Sequence, residues 1–338
     1  MKQVWITRRG PPEVLVVKEA ADPEPAPGEV RVRTAAMGVN FADLLARIGL
    51  YPDAPKPPCV VGYEVSGTVD AVGAGVASLK VGDRVLALTR FGGYSDTIVA
   101  PEVQVLPMPP RLTFEKAAAI PVNYITAWIM LVKLGALAKG ERILIHAAAG
   151  GVGQAALQLA LWRGAEIFGT ASASKHERLK QLGVAHCIDY HTQDFEEEIR
   201  RITDGKGVHL VMDAVGGRSF RKSYRSLAPL GRLFMFGVSS LAPGDTRNLF
   251  AAARGLLTLG SFRPLPLMND NRGVFGVNVG HLWDHAAELH AMIEEILALV
   301  ERGVLDPIVD RTFPLREAPA AHAYLQAHKN FGKVLLTP

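Results

Sequence analysis

The first third of the chain carries short runs in which apolar residues recur at strand-like spacing. Four such runs, separated by clusters of proline and glycine, lie at residues 14–17, 30–34, 67–72 and 84–88. Short β-rich runs are typical of strands, and Pro/Gly clusters such as the one at residues 22–28 are typical of turns. The pattern predicts an irregular β domain over the first 115 residues or so.

From residue 117 onwards the pattern alternates between helix and strand. Apolar residues at helical spacing predict helices, and short apolar runs between them predict strands. The predicted helices lie at 117–134, 152–163, 175–182 and 195–203, and the predicted strands at 142–147, 166–170, 186–189, 210–214 and 232–236. Such alternation builds a parallel sheet with helices on both faces, so this region predicts a doubly wound α/β domain.

The end of the chain returns to a mixed pattern. Residues 286–301 predict a long amphipathic helix, and residues 333–337 predict a closing strand. We expect the C-terminal segment to rejoin the first domain. The expected boundaries are therefore 1–122 with 305–338 for the β-rich domain, and 123–304 for the parallel-sheet domain.

Composition agrees with two globular domains in a reducing setting. The chain has 338 residues, and domains average about 150 residues. Its two cysteines, Cys59 and Cys187, are too few for a disulfide framework or a Cys-rich zinc site, which favours the cytoplasm. The opening residues lack the apolar core of a secretory signal, and no window is apolar enough for a transmembrane segment. The net charge of +4 is too small to demand nucleic acid, so none is expected as a partner.

A glycine-rich sequence follows the first strand of the second region. Residues 142–147 read RILIHA, and residues 148–153 read AAGGVG, with Ala148 in place of the first glycine of the GxGxxG pattern. Gly150 would let the backbone approach a pyrophosphate, and Gly153 would let the helix pack on the strand. The amide groups at the helix N-terminus then bind the pyrophosphate. Strand, turn and helix in this order predict a dinucleotide site.

The end of the next strand indicates which dinucleotide binds. A site for NAD places Asp or Glu there to accept a hydrogen bond from the ribose 2′-hydroxyl. This chain has instead the sequence ASASK at residues 171–175, which offers hydroxyl groups and one cation. These groups favour the 2′-phosphate of NADPH over NADH. The alternative for Lys175 is an exposed lysine near a helix start.

Several motifs, taken together, resemble the medium-chain dehydrogenase/reductase superfamily. Its zinc alcohol dehydrogenases carry Gly-His-Glu, with the histidine bound to zinc, where this chain has Gly62-Tyr63-Glu64. No cysteine precedes residues 40–43, and the structural-zinc loop is missing from residues 87–99. The chain is therefore similar to the zinc-independent quinone oxidoreductases, and within them to the vesicle amine transport protein branch. The segments that carry this resemblance lie at 38–43, 49–51, 123–128, 168–177, 188–192 and 329–336.

The resemblance implies a GroES-like β-rich domain, a Rossmann domain, and hydride transfer from NADPH to quinones or α,β-unsaturated carbonyls. It implies no zinc and a homodimer joined through the nucleotide-binding sheets. It also implies that Lys175 and Tyr190 contact the 2′-phosphate and that Gly237 and Val238 flank the nicotinamide. The third phosphate contact stays open, because His328 and Lys329 stand where related reductases offer an arginine. The full expected set of cofactor residues is Asn40, Thr126, Ala149, Gly150, Gly151, Val152, Gly153, Ser172, Ser174, Lys175, Tyr190, Gly237, Val238 and Asn330.

Hydride transfer builds negative charge on the substrate oxygen, so a nearby hydrogen-bond donor assists it. We expect Tyr51 to be that donor, with Asn40 as an amide ligand to substrate or ribose and Thr126 as a hydroxyl near the ribose. Two alternatives remain open. Tyr51 either acts as this donor or serves only as a packing lid in its loop. Asp43, the third catalytic candidate, either forms a polar network with Asn40 or only caps the helix at residues 44–47.

Two further alternatives concern function. The same site can serve an enoyl thioester presented on a carrier protein, or the chain can bind NADPH without catalysis and act through a membrane, RNA or protein partner. An apolar stripe at residues 246–262 is expected to line a substrate entrance or a subunit contact.

Overall fold

The computed structural model describes residues 1–241, 244 and 258–338, which form two compact units. The first unit contains residues 1–125, 244 and 279–338, and the second contains residues 126–241 and 258–278. Residues 279–304, assigned from the sequence to the parallel-sheet domain, thus belong to the first unit. Most of the apolar stripe at 246–262 lies outside the described residues.

The strands form two sheets in the first unit and one sheet in the second. In chain order they are β1 Lys2–Ile6, β2 Leu15–Glu19, β3 Glu29–Val39, β4 Cys59–Val60, β5 Glu64–Val72, β6 Arg84–Leu88, β7 Thr97–Pro101, β8 Val105–Pro107, β9 Arg142–Ile145, β10 Glu166–Ala171, β11 His186–Asp189, β12 Val208–Asp213, β13 Leu227–Met235, β14 Gly273–Gly276, β15 Val309–Pro314 and β16 Lys333–Thr337.

The α-helices of the described residues are mostly short. In chain order they are α1 Phe41–Ile48, α2 Phe114–Ala118, α3 Pro121–Trp128, α4 Gly151–Trp162, α5 His176–Gln181, α6 Phe195–Ile202, α7 Arg218–Arg225, α8 Pro264–Asp270, α9 Ala286–Glu301 and α10 Ala318–Gln326.

The first unit is built on a seven-stranded sheet. Its strand order is β15-β16-β3-β5-β6-β8, and β7 pairs with β3 beside this path. The last strand of the chain, β16, runs antiparallel to β3, with Leu335 opposite Gly38. A separate three-stranded sheet has the order β2-β1-β4. Buried valine, leucine and isoleucine side chains from both sheets form one core, which stabilises this irregular β architecture.

The second unit contains a six-stranded sheet in which all neighbouring strands are parallel. The strand order is β11-β10-β9-β12-β13-β14, which reverses direction between β9 and β12. In open parallel sheets, ligands bind beyond the carboxyl ends of the strands at such a reversal. The predicted doubly wound fold is confirmed, and the loops after β9, β10, β12 and β13 share one edge.

The single helix predicted over residues 117–134 is wrong. The chain forms α2, then a turn at residues 119–120, then α3, and residues Ile129–Lys133 form a π-helical turn. Proline cannot donate a helical hydrogen bond and clashes with the preceding turn, so Pro121 begins a new helix. The apolar periodicity runs on across this break, because both helices pack against the interior. Among the described residues, no helix is long and apolar enough to cross a membrane.

Candidate functional site

The glycine-rich loop of the second unit joins β9 to α4, as predicted. Gly150 is the N-cap of α4, and the helix begins at Gly151. The Ala148 amide donates to the Thr170 carbonyl (3.1 Å), and the Gln154 side-chain amide donates to the Ala148 carbonyl (2.9 Å). These bonds hold the loop while the first amide groups of the helix, which have no carbonyl partner within it, remain directed beyond its N-terminus. The loop therefore fits an anionic group.

Two of the loop glycines lack a side chain for different reasons. A Cβ atom on Gly153 would lie 2.4 Å from the Ala147 carbonyl oxygen and 2.7 Å from that of Ala148, a backbone overlap that would force the loop to move. A Cβ on Gly150 would meet the Ala147 oxygen at 3.3 Å, and the φ of Gly150 is −77°, which any residue adopts. Gly153 is thus required by the fold, whereas the open space at Gly150 is available to a ligand.

A buried polar network lies next to this loop and is centred on His146. His146, the residue before the loop, lies with its Nε2 3.1 Å from the Ser223 hydroxyl and its Nδ1 3.2 Å from the Thr170 hydroxyl. Ser223 donates to Asp213 (2.7 Å), so His146 Nε2–H donates to Ser223 and Nδ1 accepts from Thr170. Burial lowers the pKa of His146, and Asp213 opposes this effect. The neutral imidazole thus joins the end of β9 to β10 and to α7, and Ser223 extends the link to Asp213 at the end of β12.

The residues expected around the 2′-phosphate lie after β10 and β11, two neighbouring parallel strands. Ala171 is opposite Asp189 in the register, so Ser172 and Tyr190 leave the sheet side by side. The Ser172 and Ser174 hydroxyls are 3.2 Å apart, and the Lys175 amide donates to the Ser172 carbonyl (2.9 Å). The structure therefore brings the two hydroxyls, the lysine and the tyrosine to one corner of the sheet.

Gly237 and Val238 follow β13 and pack against the loop that follows β12. A Cβ on Gly216 would lie 3.1 Å from the Val238 Cα, and a Cβ on Gly237 would lie 3.0 Å from the Ala214 carbonyl oxygen. The Ser239 and Ser240 amides donate to the Ala214 and Val215 carbonyls (both 3.0 Å). The two loops are held backbone to backbone at the same sheet edge as the glycine-rich loop.

In the first unit, Asn40 and Asp43 meet at the start of α1. The backbone amide of Asn40 donates to Asp43 Oδ2 (2.8 Å). This is the bond of a capping box in which the side chain of the third helical residue binds back to the N-cap residue. Asp43 is fully buried and also accepts from the Gly62 amide (3.2 Å) and the Tyr94 hydroxyl (3.0 Å). Asp43 thus both caps the helix and joins a polar network, the two alternatives that the sequence left open.

The environment of Asp43 makes its ionised form costly. Burial raises the pKa of Asp43 to about 7, although the bonds from Asn40 and Tyr94 and the charge of Lys333 oppose the rise. The Tyr94 hydroxyl lies 3.0 Å from His322 Nε2, and burial lowers the pKa of His322 well below its usual value. Neutral His322 therefore donates through Nε2–H to Tyr94, which donates to Asp43.

The Asn40 side chain is held by a buried ion pair. Its amide nitrogen donates to Glu64 Oε1 (2.9 Å), and Lys333 Nζ donates both to Asn40 Oδ1 (2.6 Å) and to the same Glu64 carboxylate. Glu64 is fully buried and Lys333 is 2% exposed. A side chain on Gly38 would overlap Glu64, so the absence of one makes room for the pair. Within the described residues one side-chain amide hydrogen of Asn40 is left without an acceptor, and its orientation is fixed.

Tyr51 follows α1 and lies at the edge of an aromatic cluster. Its ring stands edge-on to that of Tyr63, with 6.4 Å between centroids, and Tyr63 contacts Phe91 at 5.2 Å. Tyr51 is half-buried, whereas Tyr63 is 6% exposed. The segment that carries Tyr63 is fixed, because the Tyr63 carbonyl accepts from the Thr89 amide (2.8 Å) and the Gly62 carbonyl from the Thr89 hydroxyl (3.0 Å).

The other two expected residues are buried. Thr126 lies in α3 and belongs to the second unit, and Asn330 precedes β16 in the first, where its side chain donates to the Gly332 carbonyl (2.9 Å). Residues 1–241, 244 and 258–338 contain no group of three or more His, Cys, Asp or Glu side chains that could hold a metal ion. With Tyr63 beside Glu64 and Glu64 paired to Lys333, the residues present do not fit a zinc site.

The sequence did not identify several residues of these networks. The sequence marks Glu64 only as part of Gly62-Tyr63-Glu64, and the charge of Lys333 at the start of an apolar strand is the one signal that Lys333 is buried in a pair. Tyr94, His322, His146 and Asp213 gave no signal, because their partners are distant in the chain and meet only through strand pairing.

Two family models match the chain. Residues 26–110 match the alcohol dehydrogenase GroES-like domain, and residues 182–336 match the zinc-binding dehydrogenase family. The human synaptic vesicle membrane protein VAT-1 homolog is 44% identical over 325 residues, which cover 96% of this chain and 82% of that protein. A quinone oxidoreductase of Pseudomonas aeruginosa is 37% identical, with coverage of 100% of this chain and 99% of that protein.

Solved structures give the same result for the fold. The Escherichia coli quinone oxidoreductase in complex with NADPH has a TM-score of 0.87 and 31% identity, with complete coverage of both chains. The CurK enoyl reductase has a TM-score of 0.86 and 32% identity, covering 99% of this chain and 98% of that one. The chain therefore belongs to the medium-chain dehydrogenase/reductase superfamily of oxidoreductases, in the branch of the VAT-1 homologues and quinone oxidoreductases.

Proposed function

We propose that this protein is a zinc-independent reductase that uses NADPH to reduce quinones or α,β-unsaturated carbonyl compounds, including enoyl thioesters. The observation that carries the proposal is the edge of the parallel sheet, where the glycine-rich N-terminus of α4 lies beside the corner formed by Ser172, Ser174 and Lys175. A pyrophosphate fits the first feature, and a 2′-phosphate fits the second. The NADPH complex of the Escherichia coli relative and the enoyl reductase support the same assignment.

Residues of both units have roles in this proposal. In the second unit, Ala149, Gly150, Gly151, Val152 and Gly153 bind the pyrophosphate and Thr126 contributes a hydroxyl near the ribose. Ser172, Ser174, Lys175 and Tyr190 bind the 2′-phosphate, and Gly237 and Val238 flank the nicotinamide. In the first unit, Asn40 and Asn330 contribute amides, and Asp43 maintains the position of Asn40 through its bond to the Asn40 backbone. These residues define the cofactor site of the proposal.

NADPH would supply the hydride, which adds to the β-carbon of an enone or to a quinone. The protein has to orient the substrate and stabilise the negative charge that develops on its oxygen. Tyr51 donates the hydrogen bond or the proton to that oxygen. Asn40, with its amide fixed by Glu64 and Lys333, presents its remaining amide hydrogen to the substrate or to the ribose.

The proposal includes a cytoplasmic homodimer. The edge strand β14 carries Phe275, which is 37% exposed, and the adjoining helix α8 carries Leu265 and Met268, which are 70% and 69% exposed. An unpaired sheet edge with exposed apolar side chains is a typical subunit contact. Joining two copies there would extend the parallel sheets.

A second candidate function is a protein that binds NADPH without turnover and acts through a partner. The observation that favours it is the 44% identity to a synaptic vesicle membrane protein homolog, whose name describes a location and not a reaction. In that case Tyr51, Asn40 and Asp43 would contribute to stability alone and not to a reaction.

Turnover distinguishes the two candidates. We expect the purified protein to oxidise NADPH, followed at the nicotinamide absorbance, in the presence of at least one member of a panel of quinones, enones and enoyl thioesters. Tight NADPH binding without turnover of any member would support the second candidate. Failure to bind NADPH would contradict both.

Cofactor choice depends on Lys175. We expect Lys175→Ala to weaken NADPH binding about tenfold or more, because it removes a cation beside the 2′-phosphate, and to change NADH binding less than twofold. Lys180→Ala, which removes an exposed lysine from the adjoining helix α5, is the matched control. An equal loss for both cofactors with Lys175→Ala would refute the phosphate role.

A further inference from the structure

The first residue of the glycine-rich loop, Ala147, adopts a strained backbone conformation. Its φ is 52°, in the left-handed region that glycine adopts freely and other residues adopt rarely. The Ala147 carbonyl accepts from the amide of Gly150 (2.8 Å), the N-cap of α4, so this conformation is part of the turn that leads into the helix. Such strain persists only where the surroundings enforce it, and it is concentrated at ligand-binding sites.

A side-chain hydroxyl on the neighbouring strand holds the amide of Ala147. This amide donates to Thr170 Oγ1 (3.2 Å), and Thr170 donates its own proton to His146 Nδ1. On the other side of the imidazole, His146 Nε2–H donates to Ser223. Because the Thr170 proton is directed at the imidazole, a lone pair of the hydroxyl oxygen is left for the Ala147 amide. The tautomer of His146 thus determines how the Ala147 amide is held.

The chain of hydrogen bonds ends at Asp213, which is fully buried. Asp213 Oδ2 accepts from the Ser219 and Ser223 hydroxyls (both 2.7 Å). Its Oδ1 accepts from the Val215 and Gly216 amides (2.8 and 3.2 Å). An ionised carboxylate only accepts hydrogen bonds, so Asp213 sets the direction of every bond in the chain.

These bonds join two loops that leave the same edge of the sheet. We call the side chains of Thr170, His146, Ser223 and Asp213 the relay. At one end of the relay is the glycine-rich loop, and at the other is the loop at residues 214–217, which packs on Val238. The four relay side chains are at most 3% exposed, so water has little access to their bonds, and bonds in such a chain strengthen one another.

We propose that the relay holds Ala147 in its left-handed conformation and makes the shape of the glycine-rich loop depend on the loop at residues 214–217. His146 is then a positioning residue, which acts on the cofactor only through the loop that follows it. This rests on the proposed reductase function, in which the glycine-rich loop binds the pyrophosphate and Val238 flanks the nicotinamide. It adds regulation of that site, because a displacement of either loop weakens the binding of NADPH at the other.

Amide hydrogen exchange of the protein without cofactor tests the coupling of the loops directly. Ser223→Ala breaks the relay between the imidazole and the carboxylate, so we expect the Ala147 amide to exchange about tenfold faster. The Ala148 amide donates to the Thr170 backbone carbonyl (3.1 Å) and not to the relay, so it should keep its wild-type rate. An unchanged rate at Ala147, or an equal increase at both amides, would overturn the proposal.

The matched control for Ser223→Ala is Ser226→Ala. Both serines are buried, and the Ser226 hydroxyl donates to the Lys222 carbonyl in α7 (2.9 Å), away from the relay. We expect Ser226→Ala to leave the exchange of the Ala147 amide unchanged and to alter NADPH affinity less than twofold.

NADPH titration tests the consequence for the cofactor. We expect Thr170→Val, which keeps the shape of the side chain, to weaken NADPH binding about tenfold, and Ser223→Ala to weaken it about fivefold. Thr170→Ser restores the hydroxyl and should bind NADPH within twofold of the wild type. Unchanged affinity in Thr170→Val, or a loss in Thr170→Ser as large as in Thr170→Val, would overturn the positioning role.

The double variant of Thr170→Val with Ser223→Ala separates a relay from independent contacts. If both residues act through the same imidazole, the double variant loses little more than Thr170→Val alone, about tenfold. Independent contributions would multiply to about fiftyfold, and that result would refute the relay.

The two readouts also separate this proposal from the reductase function. If the wild-type protein does not bind NADPH but Ser223→Ala accelerates exchange at Ala147, the reductase function fails and the coupling of the two loops stands. If the protein binds NADPH and reduces substrate but exchange at Ala147 does not respond to Ser223→Ala, the relay fails and the reductase function stands.

Discussion

At the scale of single residues, the carboxyl group of Asp43 has the environment with the clearest consequence. It is fully buried, and its pKa rises from 3.8 to about 7 on folding because burial disfavours the charged form. Between these values the folded protein retains a proton that the unfolded chain has lost. The protonated carboxyl group of Asp43 therefore makes its full contribution to the free energy of unfolding below about pH 4, and this contribution is lost as the pH rises towards 7.

This linkage predicts how stability changes with pH. We expect the free energy of unfolding of the wild-type protein to fall, relative to that of Asp43→Asn, by on the order of 4 kcal/mol between pH 4 and pH 7. Asparagine keeps the shape of the group and does not titrate. Urea unfolding at several pH values measures the difference, with Asp204→Asn, at an exposed turn, as the control. Parallel pH curves for the wild type and Asp43→Asn would show that the carboxyl group is already ionised in the folded protein.

At the scale of elements, the turn between β9 and α4 depends on two glycines in different ways. Gly153 faces the Ala147 and Ala148 carbonyl oxygens too closely for any side chain, so Gly153→Ala must displace backbone. Gly150 has an ordinary φ and only a tight contact at 3.3 Å, so Gly150→Ala leaves the loop nearly unchanged and fills space in front of the helix N-terminus.

The two substitutions therefore separate folding from ligand binding. We expect Gly153→Ala to lower the stability of the protein by about 1–3 kcal/mol through overpacking. We expect Gly150→Ala to lower it by less than about 1 kcal/mol but to weaken NADPH binding about tenfold or more, because a methyl group replaces the closest approach of the pyrophosphate. Thermal unfolding and NADPH titration give the two readouts. NADPH affinity unaffected by Gly150→Ala would place the pyrophosphate elsewhere.

Elements with a strong local signal could be predicted from the sequence. The strands β6, β11 and β16 and the helix α9 have the predicted bounds, because apolar period and flanking turn residues agree in each. The break at Pro121 was missed because the apolar pattern continues through it. The glycine-rich loop was found for the same local reason, since strand, turn and helix are consecutive in the chain.

The polar networks of the first unit could not be predicted in this way. Asp43, Tyr94 and His322 are separated by 51 and 228 residues along the chain. The partners of Asn40 lie on β5 and β16, which meet only because both flank β3. Pairing between distant strands carries no local pattern, so the sequence identified Asn40 but not the ion pair that orients it.

At the scale of the whole molecule, the two units differ in the chemistry that they hold. The second unit carries the glycine-rich loop and the hydroxyl and lysine groups at the ends of parallel strands. The first carries the buried Asp43 and Glu64 networks and the aromatic cluster of Tyr51, Tyr63 and Phe91. The second unit also carries a feature that neither network explains, the exposed apolar residues around the edge strand β14.

Those residues predict the state of assembly. Leucine and methionine side chains that are 70% and 69% exposed on α8, beside an edge strand, are unfavourable in a monomer and are covered when a second copy adds its own edge strand. We expect the wild-type protein to sediment as a dimer and the double variant Leu265→Glu with Met268→Glu to sediment as a monomer, since the added charges would face each other across the contact. Val81→Glu, which changes a side chain that is 60% exposed on the first unit, should leave the dimer intact. A monomeric wild-type protein would contradict the dimer, whereas a dimeric double variant would place the contact on another surface.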